Sequence, residues 1–186
     1  MASKPIARYD LPATVCRDIG RIITRWAYVE HYLQNIVYML IGVSQAIGRL
    51  AVREPRATDR LDLIRDLIAA KGLTEPDVDY KALRLAMEDI EDLRNVTAHS
   101  IWHWSSQHQA WVVQIARGSW EGVNKTDRAK KSKRIAPEGQ IIKSTTFAGY
   151  ILGIDGIIQI LKKMQANLEE QLAASDKKPP SPSHFQ

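Results

Sequence analysis

The chain has 186 residues, of which 45% are hydrophobic, enough for one domain with a single sizeable core. Its 26 Lys and Arg against 21 Asp and Glu give a net charge of +5, and the lone Cys16 excludes an intramolecular disulfide framework. The first residues carry no apolar run typical of a signal peptide, and the apolar stretch around residues 36–43 is far shorter than a bilayer span. We therefore expect a cytoplasmic protein that does not enter a membrane.

The first half of the sequence predicts four helices. Apolar residues recur there at three- and four-residue steps, which places them along one side of a helix. Gly42 and Gly72 end the first and third helices, and Thr58-Asp59 caps the start of the third. The segment Thr74-Glu75-Pro76-Asp77 has the form of a capping box and begins the fourth. The first three predicted helices cover about residues 12–41, 44–53 and 58–71. The fourth starts at about residue 74 and continues into the segment 94–99.

The second half changes its period at Ser100. Trp102 and Trp104 alternate with their neighbours, which is typical of a strand rather than a helix. The prediction is a β-hairpin over about residues 100–117, a basic loop over 124–135, a short strand at Gln140–Lys143 and a last helix over Phe147–Ala174. Residues 1–10 form an N-terminal arm, and the proline-containing residues 175–186 form a disordered tail. The expected fold is mainly α, a single helical domain over residues 11–174 with an inserted β-hairpin.

The last helix contains three glycines, Gly149, Gly153 and Gly156. Each costs about 1 kcal/mol relative to alanine inside a helix, so something should offset them. We expect close approach of a neighbouring helix, within the chain or across a dimer. A ligand pressed against the backbone is the alternative.

The segment Arg94-Asn95-Val96-Thr97-Ala98-His99 is the strongest candidate site. It places a permanent cation, an amide and a base that titrates near neutral pH within six residues, a combination suited to a phosphodiester. If the fourth helix continues through it, Glu91, Asn95 and His99 fall on one face, whereas Arg94 lies roughly 140° from His99. Asn95 can then orient His99 or a substrate oxygen, and Glu91 can hold the imidazole in one tautomer.

Spacing alone does not distinguish this segment, because Arg25 and His31 are similarly spaced. Trp26 follows that arginine, whereas Asn95 follows Arg94. Glu30, beside the apolar stripe of the first helix, either reaches Arg94 or His99 or lies half-exposed.

The positive charge is concentrated in the loop that follows the hairpin. A basic run of this kind attracts a polyanion such as RNA by counterion release. The alternative is a solvated loop whose charges confer solubility. The six basic residues are Lys125, Arg128, Lys130, Lys131, Lys133 and Arg134.

Residues 93–102, which read LRNVTAHSIW, resemble the LRNxxAHxxW segment of bacterial HEPN-like proteins (higher eukaryotes and prokaryotes nucleotide-binding). The wider HEPN signature is R-x4-6-H with a polar residue directly after the arginine, which Arg94, Asn95 and His99 match. The first helices of these proteins carry an acid within an apolar stripe, as at Glu30, and a hairpin and a final helix follow the motif. The resemblance extends over about residues 20–170 in the order of elements.

The resemblance implies a HEPN-like helical bundle, frequently a homodimer whose two motifs face each other across a cleft. Many members are metal-independent endoribonucleases of toxin or phage-defence systems. His99 would act as general base or acid, Arg94 would stabilise charge on the transition state, and Asn95 would position the phosphate or the histidine. The basic loop would hold the RNA backbone, and Trp102, Trp104 or Trp111 would stack an unpaired base, unless the tryptophans form the packing face of the hairpin.

Two other functions remain open at this point. One is a non-catalytic HEPN-like module that dimerises or serves a cognate protein partner. The other is a small-ligand-binding bundle with an apolar pocket beside the three glycines. His99 buried at the junction of helix and hairpin, with Arg94 paired to an acid, is the structural alternative to catalysis. The histidines share no metal-ligand spacing with a cysteine or carboxylate, and we expect no metal and no cofactor.

Overall fold

The computed structural model describes residues 11–51, 56–114 and 141–176. These residues form a mainly helical protein with a small antiparallel sheet, as the sequence predicts. In chain order the elements are α1 (Ala13–Ile41), α2 (Gln45–Ala51), α3 (Ala57–Ala70), α4 (Tyr80–His99), β1 (Trp102–Ser105), β2 (Ala110–Gln114), β3 (Ile141–Lys143), a single 3₁₀ turn (Ser144–Thr146) and α5 (Phe147–Asp176). The predicted arm, the basic loop and residues 177–186 of the predicted tail lie outside the described residues. The first two residues of that tail, Ser175 and Asp176, belong to α5 instead.

Two helices end at the glycines that the sequence singles out. Gly42 and Gly72 have φ values of +73° and +63°, in the left-handed region that costs glycine least. After α3 the N–H of Gly72 donates to the carbonyl of Ala69, and the N–H of Leu73 donates to that of Ile68. These bonds satisfy carbonyls that the helix leaves open at its end, which confirms both predicted C-termini.

The predicted N-terminal caps of α3 and α4 are wrong. Thr58 is inside α3 and buried, and the cap position belongs to Arg56, whose side chain makes no capping bond. At α4, the Asp79 carboxylate accepts a hydrogen bond from the N–H of Ala82 at 2.9 Å. Asp79 therefore provides the N-terminal cap. Thr74 instead donates its N–H to the side-chain oxygen of Gln171 in α5, a contact that no local pattern shows.

The three strands form one sheet in the order β1-β2-β3, with both neighbouring pairs antiparallel. In the first pair Trp102 lies opposite Val113 and Trp104 opposite Trp111. In the second pair Val113 lies opposite Ile142. The predicted hairpin and short third strand are both confirmed over the described residues.

The chain divides into two compact units, and α1, α4 and α5 contribute residues to both. Among described residues the first unit comprises 11–23, 92–114 and 141–151, and the second comprises 24–51, 56–91 and 152–176. The first unit contains the sheet and the motif at residues 94–99; its buried apolar residues are Val15, Ile22, Leu93, Trp102, Ala110, Trp111, Val112, Val113, Ile142 and Phe147. The largest fully buried side chains of the second unit are Trp26, Leu33, Ile36, Leu40, Leu61, Ile64, Met87, Ile154, Leu161 and Met164.

Helix α5 is the most apolar element. Its length and composition alone are those of a helix that can cross a membrane, since the mean hydropathy of its most apolar window is 1.3. A buried core helix meets the same two criteria. It has a core side as well: Ile154, Leu161 and Leu168 are completely buried. Its opposite side leaves Leu152 71% exposed.

The glycines of α5 do not meet a neighbouring helix closely within the described part of the chain. Around Gly149 and Gly156 no atom lies within 4 Å of where a Cβ would stand, and at Gly153 the Cδ1 of Ile90 lies at an ordinary 3.6 Å. The expected close approach within the chain is therefore wrong for these residues. Approach of a helix from a second copy stays a prediction.

Tyr80 gives the protein an alkaline pH dependence. Burial and the Glu75 carboxylate raise its pKa from 10.0 to about 12, while the Arg65 guanidinium, 5.1 Å above the ring, acts in the opposite direction. Between pH 10 and 12 the folded chain keeps a proton that the unfolded chain has lost, so stability falls as pH rises through this range. Below pH 10 this contribution is fully present.

We therefore expect Tyr80→Phe to flatten the loss of stability between pH 10 and 12. The comparison is urea denaturation of the wild type and the variant at pH 8, 10 and 11. The exposed Tyr28, replaced in the same way, controls for the loss of one tyrosine. Parallel pH profiles for wild type and Tyr80→Phe would contradict the assignment.

Candidate functional site

Helix α4 runs through the whole motif and ends at His99. Its apolar residues Leu83, Met87, Ile90 and Leu93 recur at three- and four-residue steps, and all four are buried. The N–H of Ser100 still donates to the carbonyl of Val96, so the last turn is closed. The motif therefore has helical geometry throughout, as the spacing argument assumes.

Arg94 and Asn95 form a direct pair. The Nη1 of Arg94 donates a hydrogen bond to the Oδ1 of Asn95 at 2.8 Å, and both side chains are half-buried. This bond joins the guanidinium to a side chain that begins about 100° further around the helix. Since His99 is four residues beyond Asn95, it falls on the same side as Asn95. The bond therefore links Arg94 to a residue of the His99 side, although the backbone places Arg94 roughly 140° from His99.

His99 is exposed at the end of α4. The predicted alternative, a buried histidine at the junction of helix and hairpin, is wrong. Trp102 has that position instead: its Nε1 donates to the carbonyl oxygen of Thr97 at 3.4 Å, and Thr97 is buried. The imidazole is therefore accessible to a ligand.

The tryptophans of the hairpin divide into core and surface. Trp102 is 7% exposed and meets Phe147 edge to face at 5.4 Å, and Trp111 is also 7% exposed. Neither ring offers a face to a base, which corrects the stacking role considered for them and favours the packing interpretation. Trp104 is 47% exposed and touches Trp111 edge to face at 6.2 Å. It is the one described hairpin tryptophan with a surface on which a base could stack.

The similarly spaced pair Arg25 and His31 is engaged elsewhere. The Nε of Arg25 pairs with the Asp155 carboxylate at 2.7 Å. The Nε2 of His31 makes a 2.9 Å hydrogen bond with the amide nitrogen of Asn35. Arg94, by contrast, donates to the neighbouring Asn95. The two arginine–histidine pairs therefore differ in structure as well as in sequence.

Glu30 and Glu91, the two predicted supporting acids, line one cavity of the second unit. Both are half-buried, and Glu30 accepts a hydrogen bond from the Nε1 of Trp26 at 3.0 Å. The cavity has a volume of about 330 Å³, and its described lining is Ala27, Glu30, His31, Gln34, Arg56, Ala57, Arg60 and Glu91. None of the three α5 glycines lines it, and its walls are polar. It does not match the apolar glycine pocket expected for a small-ligand-binding bundle.

Sequence reasoning missed two residues of this cavity, Arg56 and Arg60. They lie four residues apart where α3 begins, and this spacing places two guanidinium groups on one side of a helix start. This spacing could have identified the two arginines as a pair. The cap predicted at Thr58, however, left Arg56 outside the predicted helix. The six basic residues predicted to hold RNA, between Lys125 and Arg134, lie outside the described residues.

Within the described ranges, no group of three or more His, Cys, Asp or Glu side chains is arranged to hold a metal ion. Comparison with protein-family models, with curated proteins and with solved structures finds no match to this chain.

Proposed function

We propose that this chain is a HEPN-like protein that binds RNA phosphates through Arg94, Asn95 and His99 and cleaves RNA without a metal ion. The hydrogen bond from Arg94 to Asn95 carries the proposal. It links the guanidinium to Asn95, and an exposed imidazole lies one turn beyond Asn95 on the same side of α4. It also gives a reason for the polar residue that follows the arginine in the HEPN signature.

The chemistry needs only groups of this kind. The ribose 2′-OH loses its proton to a base and attacks the adjacent phosphorus. The bond from phosphorus to the 5′-oxygen breaks, and that oxygen takes up a proton from an acid or from water. The products are a 2′,3′-cyclic phosphate and a free 5′-hydroxyl. His99 supplies the base or the acid, and Arg94 stabilises the charge that develops on the phosphoryl oxygens. The exposed Trp104 provides a stacking surface for an unpaired base.

The test is incubation of structured and unstructured RNA with the purified protein in the presence of EDTA. We expect cleavage that leaves 2′,3′-cyclic phosphate ends and that is lost in His99→Ala. The absence of any His99-dependent cleavage would overturn the catalytic part of the proposal. RNA affinity, measured on the same variants, would then show whether the binding part survives.

Arg94→Lys is expected to weaken RNA binding by roughly tenfold, the scale of one hydrogen bond to a charged group. Lysine keeps the charge but loses the planar fork that bonds Asn95 and a phosphate at the same time. Fluorescence anisotropy with labelled single-stranded RNA measures the change. Arg84→Lys on the same helix is the matched control, since Arg84 pairs with Asp62 and Glu88. Equal losses in both variants would show that the loss does not come from a specific contact of Arg94.

A second candidate, the non-catalytic HEPN-like module, draws support from exposed apolar side chains near the motif in sequence. Ile101 is 82% exposed and Trp104 is 47% exposed. Exposed apolar surface of this kind is typical of a protein contact. An interaction module requires that Ile101→Ser weaken dimerisation or capture of a cognate partner and that His99→Ala leave it unchanged. Size-exclusion chromatography with light scattering measures the dimer.

A further inference from the structure

A buried arginine in the first turn of α3, Arg60, has no side-chain partner among the described residues. Arg60 is 9% exposed, and among the described residues no hydrogen bond or ion pair reaches its guanidinium. A guanidinium stays charged and carries five N–H donors. None of the Arg60 nitrogens is both buried and without a partner, so they are open to a ligand in the cavity that Arg60 lines. The guanidinium can therefore donate to an acceptor that the described residues do not supply.

The cavity beside Arg60 has room for such an acceptor. Its volume of about 330 Å³ falls at the small end of the range for small-molecule sites. Arg56 lines it together with Arg60, so two guanidinium groups face the same space. Both belong to the start of α3, which makes that wall of the cavity cationic.

The start of α3 itself strengthens the attraction for an anion. The N–H of Arg60 closes the first turn on the carbonyl of Arg56, and Arg56 makes no side-chain capping bond. The N–H groups of the first turn therefore have no capping acceptor from Arg56, and Ala57, the first of these residues, lines the cavity. Such a helix N-terminus carries a partial positive charge and binds oxyanions.

The cavity is also lined by residues of α1 and α4, and these carry acceptors. Glu30 and Glu91 contribute carboxylates. The Nε2 of Gln34 donates to the Tyr38 hydroxyl at 2.6 Å, which leaves the Gln34 carbonyl oxygen as the acceptor end of that side chain. A ligand in the cavity thus meets donors from α3 and acceptors from α1 and α4.

We propose that this cavity binds a small ligand with an oxyanion at one end and an amino group at the other. The oxyanion, a phosphate or a carboxylate, pairs with Arg60 and Arg56 at the start of α3. The amino group faces Glu30 and Glu91. This site goes beyond the proposed RNA chemistry, and its test uses no RNA, so either proposal can fail without the other.

The test is isothermal titration of the full chain with four probes: inorganic phosphate, acetate, O-phosphoethanolamine and γ-aminobutyrate. The two probes that carry an amino group should bind at least tenfold more tightly than the simple anion of the same class. Tighter binding of inorganic phosphate and O-phosphoethanolamine would identify the oxyanion as a phosphate. Tighter binding of acetate and γ-aminobutyrate would identify it as a carboxylate. If none of the four probes binds saturably, the proposal is overturned. If the simple anions bind as tightly as the probes that carry an amino group, the part of the proposal that concerns the amino group is overturned.

Arg60→Gln should weaken the best probe at least tenfold. The unliganded variant should be about as stable as the wild type, because among the described residues Arg60 has no side-chain hydrogen bond or ion pair to lose. Arg56→Gln changes an exposed side chain and so tests the same wall without touching the core; we expect a several-fold loss. Arg65→Gln, on the same helix but paired with Glu75, is the control and should bind like the wild type. Unchanged affinity in Arg60→Gln and Arg56→Gln would overturn the proposal.

Discussion

His99→Ala is expected to lower the rate of RNA cleavage by about 10²–10⁴-fold, the usual contribution of a positioned general acid or base. Folding should be unaffected, because His99 is exposed at the last position of α4 and holds no part of the core. Single-turnover cleavage of a labelled RNA in EDTA measures the rate. Circular dichroism verifies that the variant is folded.

His103→Ala is the matched control for this change. His103 is also exposed and lies four residues further on, in β1. It removes the same chemical group from the same part of the chain, so it should cleave RNA at the rate of the wild type. Cleavage at the wild-type rate by both His99→Ala and His103→Ala would exclude His99 as the acid or base. Activity lost in both would indicate damage to the hairpin rather than to a catalytic site.

Leu161→Ala is expected to lower the free energy of unfolding by about 2–5 kcal/mol, the range for a buried leucine truncated to alanine. Leu161 is 0% exposed in the core of the second unit. Truncation removes its apolar contacts and leaves a cavity that neighbouring side chains fill only in part. Urea denaturation followed by circular dichroism measures the loss.

Leu152→Ala makes the same chemical change on the opposite side of the same helix. Leu152 is 71% exposed, so the expected change is within about 0.5 kcal/mol. The pair therefore separates the core side of α5 from its open side. A larger loss for Leu152→Ala than for Leu161→Ala would show that the open side is covered in solution, by a second copy or by a lipid surface, and that Leu161 is not the core residue described here.

The candidate site could be predicted from the sequence as a set of residues but not as an arrangement. The spacing of Glu91, Asn95 and His99 gave their common helix face, and it also placed Arg94 on a different side. The hydrogen bond that joins Arg94 to Asn95 depends on the rotamers of both side chains. Rotamers are selected by packing and by local acceptors, which no residue spacing encodes. For the same reason Trp102 and Trp104, indistinguishable in the sequence, become a core residue and a surface residue.

Helix ends show which local signals are sufficient. Glycines at 42 and 72 end helices because a residue with positive φ is needed there, and that need is a property of a few consecutive residues. The Thr58 and Thr74 caps failed because a capping side chain competes with tertiary contacts. Thr58 is buried within α3, and the Thr74 N–H has an acceptor in Gln171, 97 residues away along the chain.

The sequence by itself determined the order and type of the elements, the α-rich class of the fold and the segment that carries the arginine, amide and imidazole. These follow from periodicity and from residue chemistry, which act over a few neighbouring positions. Only the tertiary structure decided that His99 is exposed, that Arg60 is buried beside a polar cavity and that Gly149 and Gly156 face open space within the described residues. Burial is the reason for this difference, because it depends on which distant segments pack together, and the free energy of a charge or an apolar group is set by that packing.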